Sequence, residues 1–220
     1  MTQIKICGIT NIEDALAAVA YGADALGFIF YPASPRYIKP DNVQKIIRLL
    51  PDQVVKVGVF VNEKAAEIKK IMEYCSLDII QLQGDETPAY CQIFPAQQLI
   101  KAVELKSEAD LLRAESYNVS AILVDSRHAG LYGGTGRKAN WELARRLKHK
   151  KPLILAGGLN QDNIGQAIKE VAPPALDICS GVELVPGKKD HAKLARIFDI
   201  VRRTNTGQKE TDLIFTKRGK

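Results

Sequence analysis

Cys7 closes the apolar stretch of KICGIT and stands directly before a glycine and a helix-start signal. A cysteine in that place can fill space, bind a metal or do chemistry. Side chains alternate along a strand, so Lys5 shares a face with Cys7, and a nearby ammonium favours thiolate over thiol, whose unperturbed pKa is about 8.5. Asp125 ends a second apolar run, SAILVD. Burial there would raise its carboxyl toward the range of a general acid; a helix cap or a salt bridge is the competing reading. Gly157 and Gly158 in LAGGLN, with Ser180 and Gly181 in CSGVELVPGKK, are suited to holding phosphate on backbone amides. Arg36 in YPASPRYI is suited to a bidentate contact with a second anion. The plainer alternatives are ordinary turns and a surface arginine.

These residues need elements to bring them together. Eight apolar runs recur at short intervals: IKICGI, ALGFIF, VVKVGVFV, LDIIQLQ, LIKAV, SAILVD, PLILAGG and ALDICSG. Such near-continuous hydrophobicity is what a parallel strand covered on both faces requires. Helical patterns lie between most of them. TNIEDALAAVAYGAD predicts a capping box of Thr10 with Glu13, an apolar face of Leu16, Val19 and Ala20, and a stop near Gly22. NEKAAEIKKIMEYC places Ile68, Ile71, Met72 and Cys75 at helical spacing, so Cys75 reads as core packing. Eight strand-helix units with right-handed crossovers in about 200 residues predict a closed α/β barrel, the (β/α)₈ fold. A doubly wound open sheet is the alternative, but the dinucleotide fingerprint expected there is absent. One domain over residues 1–203 is expected, followed by a polar tail, 204–220, free to be disordered.

In such a barrel the active face lies at the carboxyl ends of the strands. Cys7, Arg36, Gln81, Gln83, Asp125, Gly157, Gly158, Ser180 and Gly181 all fall at those ends or in the loops after them. Asp177 shares a face with Cys179 and is counted among the substrate-binding residues. By the same parity Lys56 and Lys101 are expected to point inward with Lys5. Three buried ammoniums need partners, for which Asp177 is a candidate. Gly130, Gly133, Gly134 and Gly136 make the loop after Asp125 permissive enough for a lid.

Composition narrows the function further. The chain of 220 residues is 46% hydrophobic and 25% charged, ordinary values for a globular protein. No apolar run approaches the roughly 20 residues of a membrane helix, and a signal-peptide pattern is lacking, so a cytoplasmic protein without a membrane partner is expected. The net charge of +6 comes from dispersed basic residues, where nucleic-acid binding usually needs a clustered basic face. The four cysteines, at 7, 75, 91 and 179, have neither zinc-site spacing nor a C-x-x-C pair, so free thiols and no metal are expected.

KICGIT, ALGFIFYPASPRYI, KVGVFVN, the GGTG loop, LAGGLN and SGVE with PGKKD together closely resemble the phosphoribosylanthranilate isomerase family of tryptophan biosynthesis, from about Lys5 to Arg203. The resemblance implies a cofactor-independent Amadori rearrangement of N-(5-phosphoribosyl)anthranilate to 1-(2-carboxyphenylamino)-1-deoxyribulose 5-phosphate. It implies Cys7 as general base, Asp125 as general acid, Arg36 on the anthranilate carboxylate, and Gly157, Gly158, Ser180 and Gly181 on the phosphate. The partner is then a phosphorylated small molecule, and the chain a monomer or a homodimer. Departures from the family pattern are Gln83 where QLHG is usual, Cys179 in place of serine, and Ala139, Asn140 and Trp141 in place of an aromatic-Asp-Trp segment. The related histidine-pathway isomerase, and a non-catalytic phosphate-sugar binding barrel, are the alternatives.

Overall fold

Valine, isoleucine, leucine and phenylalanine fill the eight apolar runs with few interruptions, and each run forms one short parallel strand. The computed structural model describes residues 1–125, 140–204 and 213–216. The strands are β1 (Gln3–Cys7), β2 (Ala25–Ile29), β3 (Val55–Phe60), β4 (Ile79–Leu82), β5 (Leu99–Val103), β6 (Ala121–Val124), β7 (Leu153–Leu155) and β8 (Ala175–Ile178). They close in sequence order into a barrel, with β8 returning to β1. Helices α1 (Ile12–Tyr21), α2 (Pro40–Ile47), α3 (Ala65–Tyr74), α4 (Pro88–Cys91), α5 (Glu108–Glu115), α6 (Trp141–Lys148), α7 (Ile164–Val171) and α8 (His191–Thr204) alternate with them. A small antiparallel pair, β9 (Glu183–Val185) and β10 (Lys188–Lys189), follows β8. This is the expected (β/α)₈ barrel. Among the described residues no helix is long and apolar enough to cross a membrane.

Two apolar layers result. The larger lies between strands and helices and includes Leu26, Leu82, Ile122, Ile68 and Cys75. The smaller fills the barrel interior with Val55, Val57, Ile100, Leu123 and Ile154 among others. Register assigns Lys5 to the interior, paired with Ala25 on one side and Asp177 on the other. Lys56 and Lys101 go the opposite way, against expectation. Lys56 pairs with Leu26, and Lys101 with Leu82 and Ile122, so both face the helices. The Lys101 ammonium donates to Glu86 Oε2 at 2.9 Å and to the carbonyls of Leu82, Gly84 and Ala102. Both members of the ion pair are buried. Lys101→Ala strands the Glu86 carboxylate, a loss of about 3–5 kcal/mol, read as a lower midpoint in urea unfolding. An unchanged midpoint would mean that water takes the place of the ammonium.

The start of α1 also differs from the expected one. Asn11, not Thr10, is the cap: its Oδ1 accepts from the Asp14 amide at 2.8 Å, and its Nδ2 donates to Asp14 Oδ2 at 2.8 Å. Thr10 instead donates its hydroxyl proton to the Gly187 carbonyl. Asp14, Ala15 and Ala18 are buried, while Leu16 and Ala20 are exposed. Gly22 ends the helix in the left-handed region, φ 110°.

The polar tail expected after Thr204 does not describe residues 213–216. Phe215 is buried among Ala25, Val55, Ile79, Ala121 and Ala175, which open β2, β3, β4, β6 and β8. It therefore seals the amino-terminal floor of the barrel. Gln3 holds it there. Its Oε1 accepts from the amides of Ile214 and Phe215 at 2.7 and 2.8 Å, and its Nε2 donates to the Phe215 carbonyl at 2.8 Å.

Candidate active site

The interior face of β1 carries Gln3, Lys5 and Cys7 upward from the floor, and β8 beside it leads through Asp177 to Cys179. Lys5 Nζ donates to Asp177 Oδ1 at 2.8 Å with the ammonium wholly buried. Burial opposes that charge, but Asp177 and Cys7 outweigh it and hold Lys5 above the ordinary lysine value. Asp177 is thus engaged by Lys5 beneath the rim, which supports positioning rather than contact with substrate.

Cys7 and Cys179 follow this pair at the carboxyl ends of β1 and β8, close enough that each thiol sets the other's acidity. Cys179, with burial, pushes the Cys7 thiol well up. Cys7 in turn brings Cys179 down to about 7, with Lys189 and Arg36 assisting against burial. The Lys5 ammonium favours the Cys7 thiolate as expected, but Cys179 and burial outweigh it. Two neighbouring thiols cannot both ionise easily, so the pair loses one proton early and the other late.

A second group of charges braces the rim. Arg36 Nε donates to Glu183 Oε1 and Oε2 at 2.9 and 3.1 Å, and Nη2 donates to Oε2 at 2.7 Å. Arg36 is buried at 9% exposure, which rules out a surface arginine. Lys189, reaching in from β10, donates from Nζ to Glu183 Oε1 at 3.0 Å and to the carbonyls of Cys7 and Cys179 at 2.6 and 3.3 Å. Burial would raise the Glu183 carboxyl, but the Arg36 hydrogen bond and the charge of Lys189 hold it below the usual carboxylate range. Lys189 therefore ties together the strand ends that carry the two thiols.

On the far side of the barrel Asp125 follows β6, buried, with its amide donating to the Val103 carbonyl at 3.0 Å. Gln83 Nε2 donates to Asp125 Oδ2 at 3.0 Å, and Gln81 Nε2 donates to Gln83 Oε1 at 2.7 Å. Two inward glutamines thus aim the carboxylate. The lid expectation at Gly130, Gly133, Gly134 and Gly136 lies outside the described residues.

The glycines expected to hold phosphate lie in the loops after β7 and β8. Gly157 and Gly158 both have positive φ, 84° and 63°, which only glycine takes up without strain. At Gly181 a Cβ would stand 1.9 Å from the Leu159 carbonyl oxygen, so glycine alone lets the two loops touch. Among the described residues the amides of Gly157, Gly158, Ser180 and Gly181 make no hydrogen bond of their own.

A family model described as N-(5'phosphoribosyl)anthranilate (PRA) isomerase matches residues 4–200. The N-(5'-phosphoribosyl)anthranilate isomerase of Syntrophus aciditrophicus is 52% identical over 212 residues, covering 96% of this chain and 92% of that one. The chain belongs to the phosphoribosylanthranilate isomerase family. Solved members of the family share its architecture. The Thermotoga maritima phosphoribosyl anthranilate isomerase superposes with a TM-score of 0.86 at 42% identity, covering 92% of this chain and all of that one. A phosphoribosyl anthranilate isomerase in complex with reduced 1-(o-carboxyphenylamino)-1-deoxyribulose 5-phosphate does so with a TM-score of 0.83 at 40% identity, covering 92% of this chain and 100% of that one.

Within this member of the family, Glu183, Lys189 and Gln83 join the site without having been singled out for these contacts from the sequence. SGVE and PGKKD were legible as motifs, but nothing in their spacing says that the glutamate and second lysine turn back under the rim. Gln83 stands where the family pattern has histidine and still delivers a donor to Asp125.

Proposed function

We propose that the chain converts N-(5-phosphoribosyl)anthranilate into 1-(2-carboxyphenylamino)-1-deoxyribulose 5-phosphate, with Asp125 as general acid and Cys7 as general base. The observation that carries these assignments is that the thiol pair and the aimed carboxylate occupy the same rim of a closed barrel, at strand ends where substrate is held between them. Asp125 gives its proton to the ribose ring oxygen, opening the ring to a Schiff base. Cys7 then takes the proton from the sugar's second carbon, and the enolamine tautomerises to the ketone. The chemistry needs two proton-transfer groups and no cofactor. Cys7 acts as base when it carries the single negative charge of the thiol pair.

The anionic ends of the substrate set its orientation. The phosphate lies on the amides of Gly157, Gly158, Ser180 and Gly181. Arg36 uses Nε and Nη2 on Glu183, which leaves Nη1 for the anthranilate carboxylate. Losing a hydrogen bond to a charged group costs about 1.5–3 kcal/mol, so Arg36→Ala should raise KM about 10- to 100-fold with a smaller change in kcat. A large fall in kcat at unchanged KM would instead place Arg36 in the proton-transfer machinery.

The decisive assay adds purified protein to fresh phosphoribosylanthranilate with a chelator present and follows the loss of anthranilate fluorescence, corrected for spontaneous decay. Rapid conversion to the ketose is expected. Folded protein that leaves the fluorescence at the background rate would overturn the assignment.

A further inference from the structure

We propose that Cys7 and Cys179 form a reversible disulfide when the protein meets a peroxide, making the rim of the barrel a redox modification site. The geometry is that of neighbours across a ladder. Strands β1 and β8 pair in parallel with Lys5 opposite Asp177 and Ile6 opposite Ile178, and Cys7 and Cys179 are the residues that directly follow this last pair. Paired strands run about 4.7–4.9 Å apart, inside the Cα separation of about 4.4–6.8 Å that a disulfide spans. Both side chains share the interior parity of Lys5 and Asp177, two residues before them. A Cβ at Gly8, directly after Cys7, would lie 3.1 Å from Cys179 Sγ. Lys189 pins the carbonyls of the two cysteines with one ammonium, so the backbones are held together before any bond forms.

Reactivity distinguishes this pair from the other thiols. Cys179 is half-buried rather than buried, with Lys189 and Arg36 favouring its thiolate, the species that attacks a peroxide. Cys75 and Cys91 are buried, and burial pushes both thiols up to about 11. The Cys179 thiolate attacks one peroxide oxygen and breaks the O–O bond. Cys179 becomes a sulfenic acid, and the departing hydroxide takes up a proton to leave as water. Cys7 then attacks that sulfur and gives up its own proton as the hydroxyl leaves as a second water. Two thiols lose two electrons in all, and the peroxide gains them. A dithiol reductant reverses the change by exchange. The consequence for turnover rests on the reading of Cys7 as the base, because a sulfur locked in a disulfide cannot take a proton.

The test treats the native protein with graded hydrogen peroxide, blocks remaining thiols with an alkylating agent, and analyses the non-reduced digest by mass spectrometry beside the fluorescence assay. The expected result is a peptide pair joined through Cys7 and Cys179, lighter by two hydrogen atoms than the separate peptides. Turnover should fall in proportion to the linked fraction and return with dithiothreitol, and Cys179→Ser should yield no such linkage. Oxidation of Cys179 to sulfinic acid without linkage, or thiols unchanged by peroxide that oxidises free glutathione, would overturn the proposal. Linkage at full turnover would leave the redox site standing and remove Cys7 from its catalytic role.

Discussion

Cys7→Ala should lower kcat by about 10²–10⁴-fold, the usual contribution of a positioned proton-transfer group, while KM changes little. Alanine keeps the strand and the backbone carbonyl on which Lys189 rests, so circular dichroism and the unfolding midpoint should show a folded protein. The wild-type rate carries a further mark of the thiol pair. A base works only when deprotonated, and the first proton leaves the pair near the value to which Cys179 is brought, about 7. The rate should therefore climb with pH through the neutral region and level off above it. In Cys7→Ala that rising limb should no longer control the residual rate. Near-native turnover in this variant would remove Cys7 from the mechanism, whatever the shape of the profile.

Asp125→Asn should cost a similar factor, about 10²–10⁴-fold in kcat, for the opposite reason. The amide oxygen of asparagine can still accept the Gln83 hydrogen bond that reaches Asp125 Oδ2 at 3.0 Å, so the side chain stays aimed. What it loses is the proton for the ring oxygen. Comparison with Asp125→Ala separates the acid from its scaffold: if both lose activity equally, the proton matters and the packing does not. Asparagine at native turnover would assign ring opening to another donor.

The barrel was legible because eight buried parallel strands leave eight unbroken apolar runs, with glycines in the loops that follow several of them. Which face each strand turns inward was far less legible. VVKVGVF and LIKAV are apolar on both sides, as strands packed between a core and a shell of helices must be, so their pattern contains no alternation to read. Register decides instead, by setting Lys56 beside Leu26 and Lys101 beside Leu82. The α1 cap failed differently: Thr10 with Glu13 and Asn11 with Asp14 are equally good signals one residue apart, and the contacts of Asp14 with Lys189 and His191 choose between them. At the site, Cys7, Asp125 and the glycines could be placed from strand ends alone. The thiol partner of Cys7, the Glu183–Lys189 brace and the Gln83 donor could not, because each comes from a strand or hairpin whose proximity appears only on closure. The tail misled through its average polarity, which hides Phe215.

The floor plug bears on the order in which the molecule can assemble. Gln3 and Phe215 lie 212 positions apart, and the Lys5–Asp177 pair spans 172, whereas every other junction of the barrel joins consecutive strands. Contacts so distant along the chain pay their loop-closure entropy before they are rewarded and tend to form late. A nascent chain can pair β1 with β2 and extend strand by strand, but β1 keeps a free edge until β8 emerges, and the floor stays open until Phe215 follows. The thiol pair sits on that last seam. Synthesis of nearly the whole polypeptide must therefore precede the meeting of Cys7 with Cys179, and a truncated product would present one without the other.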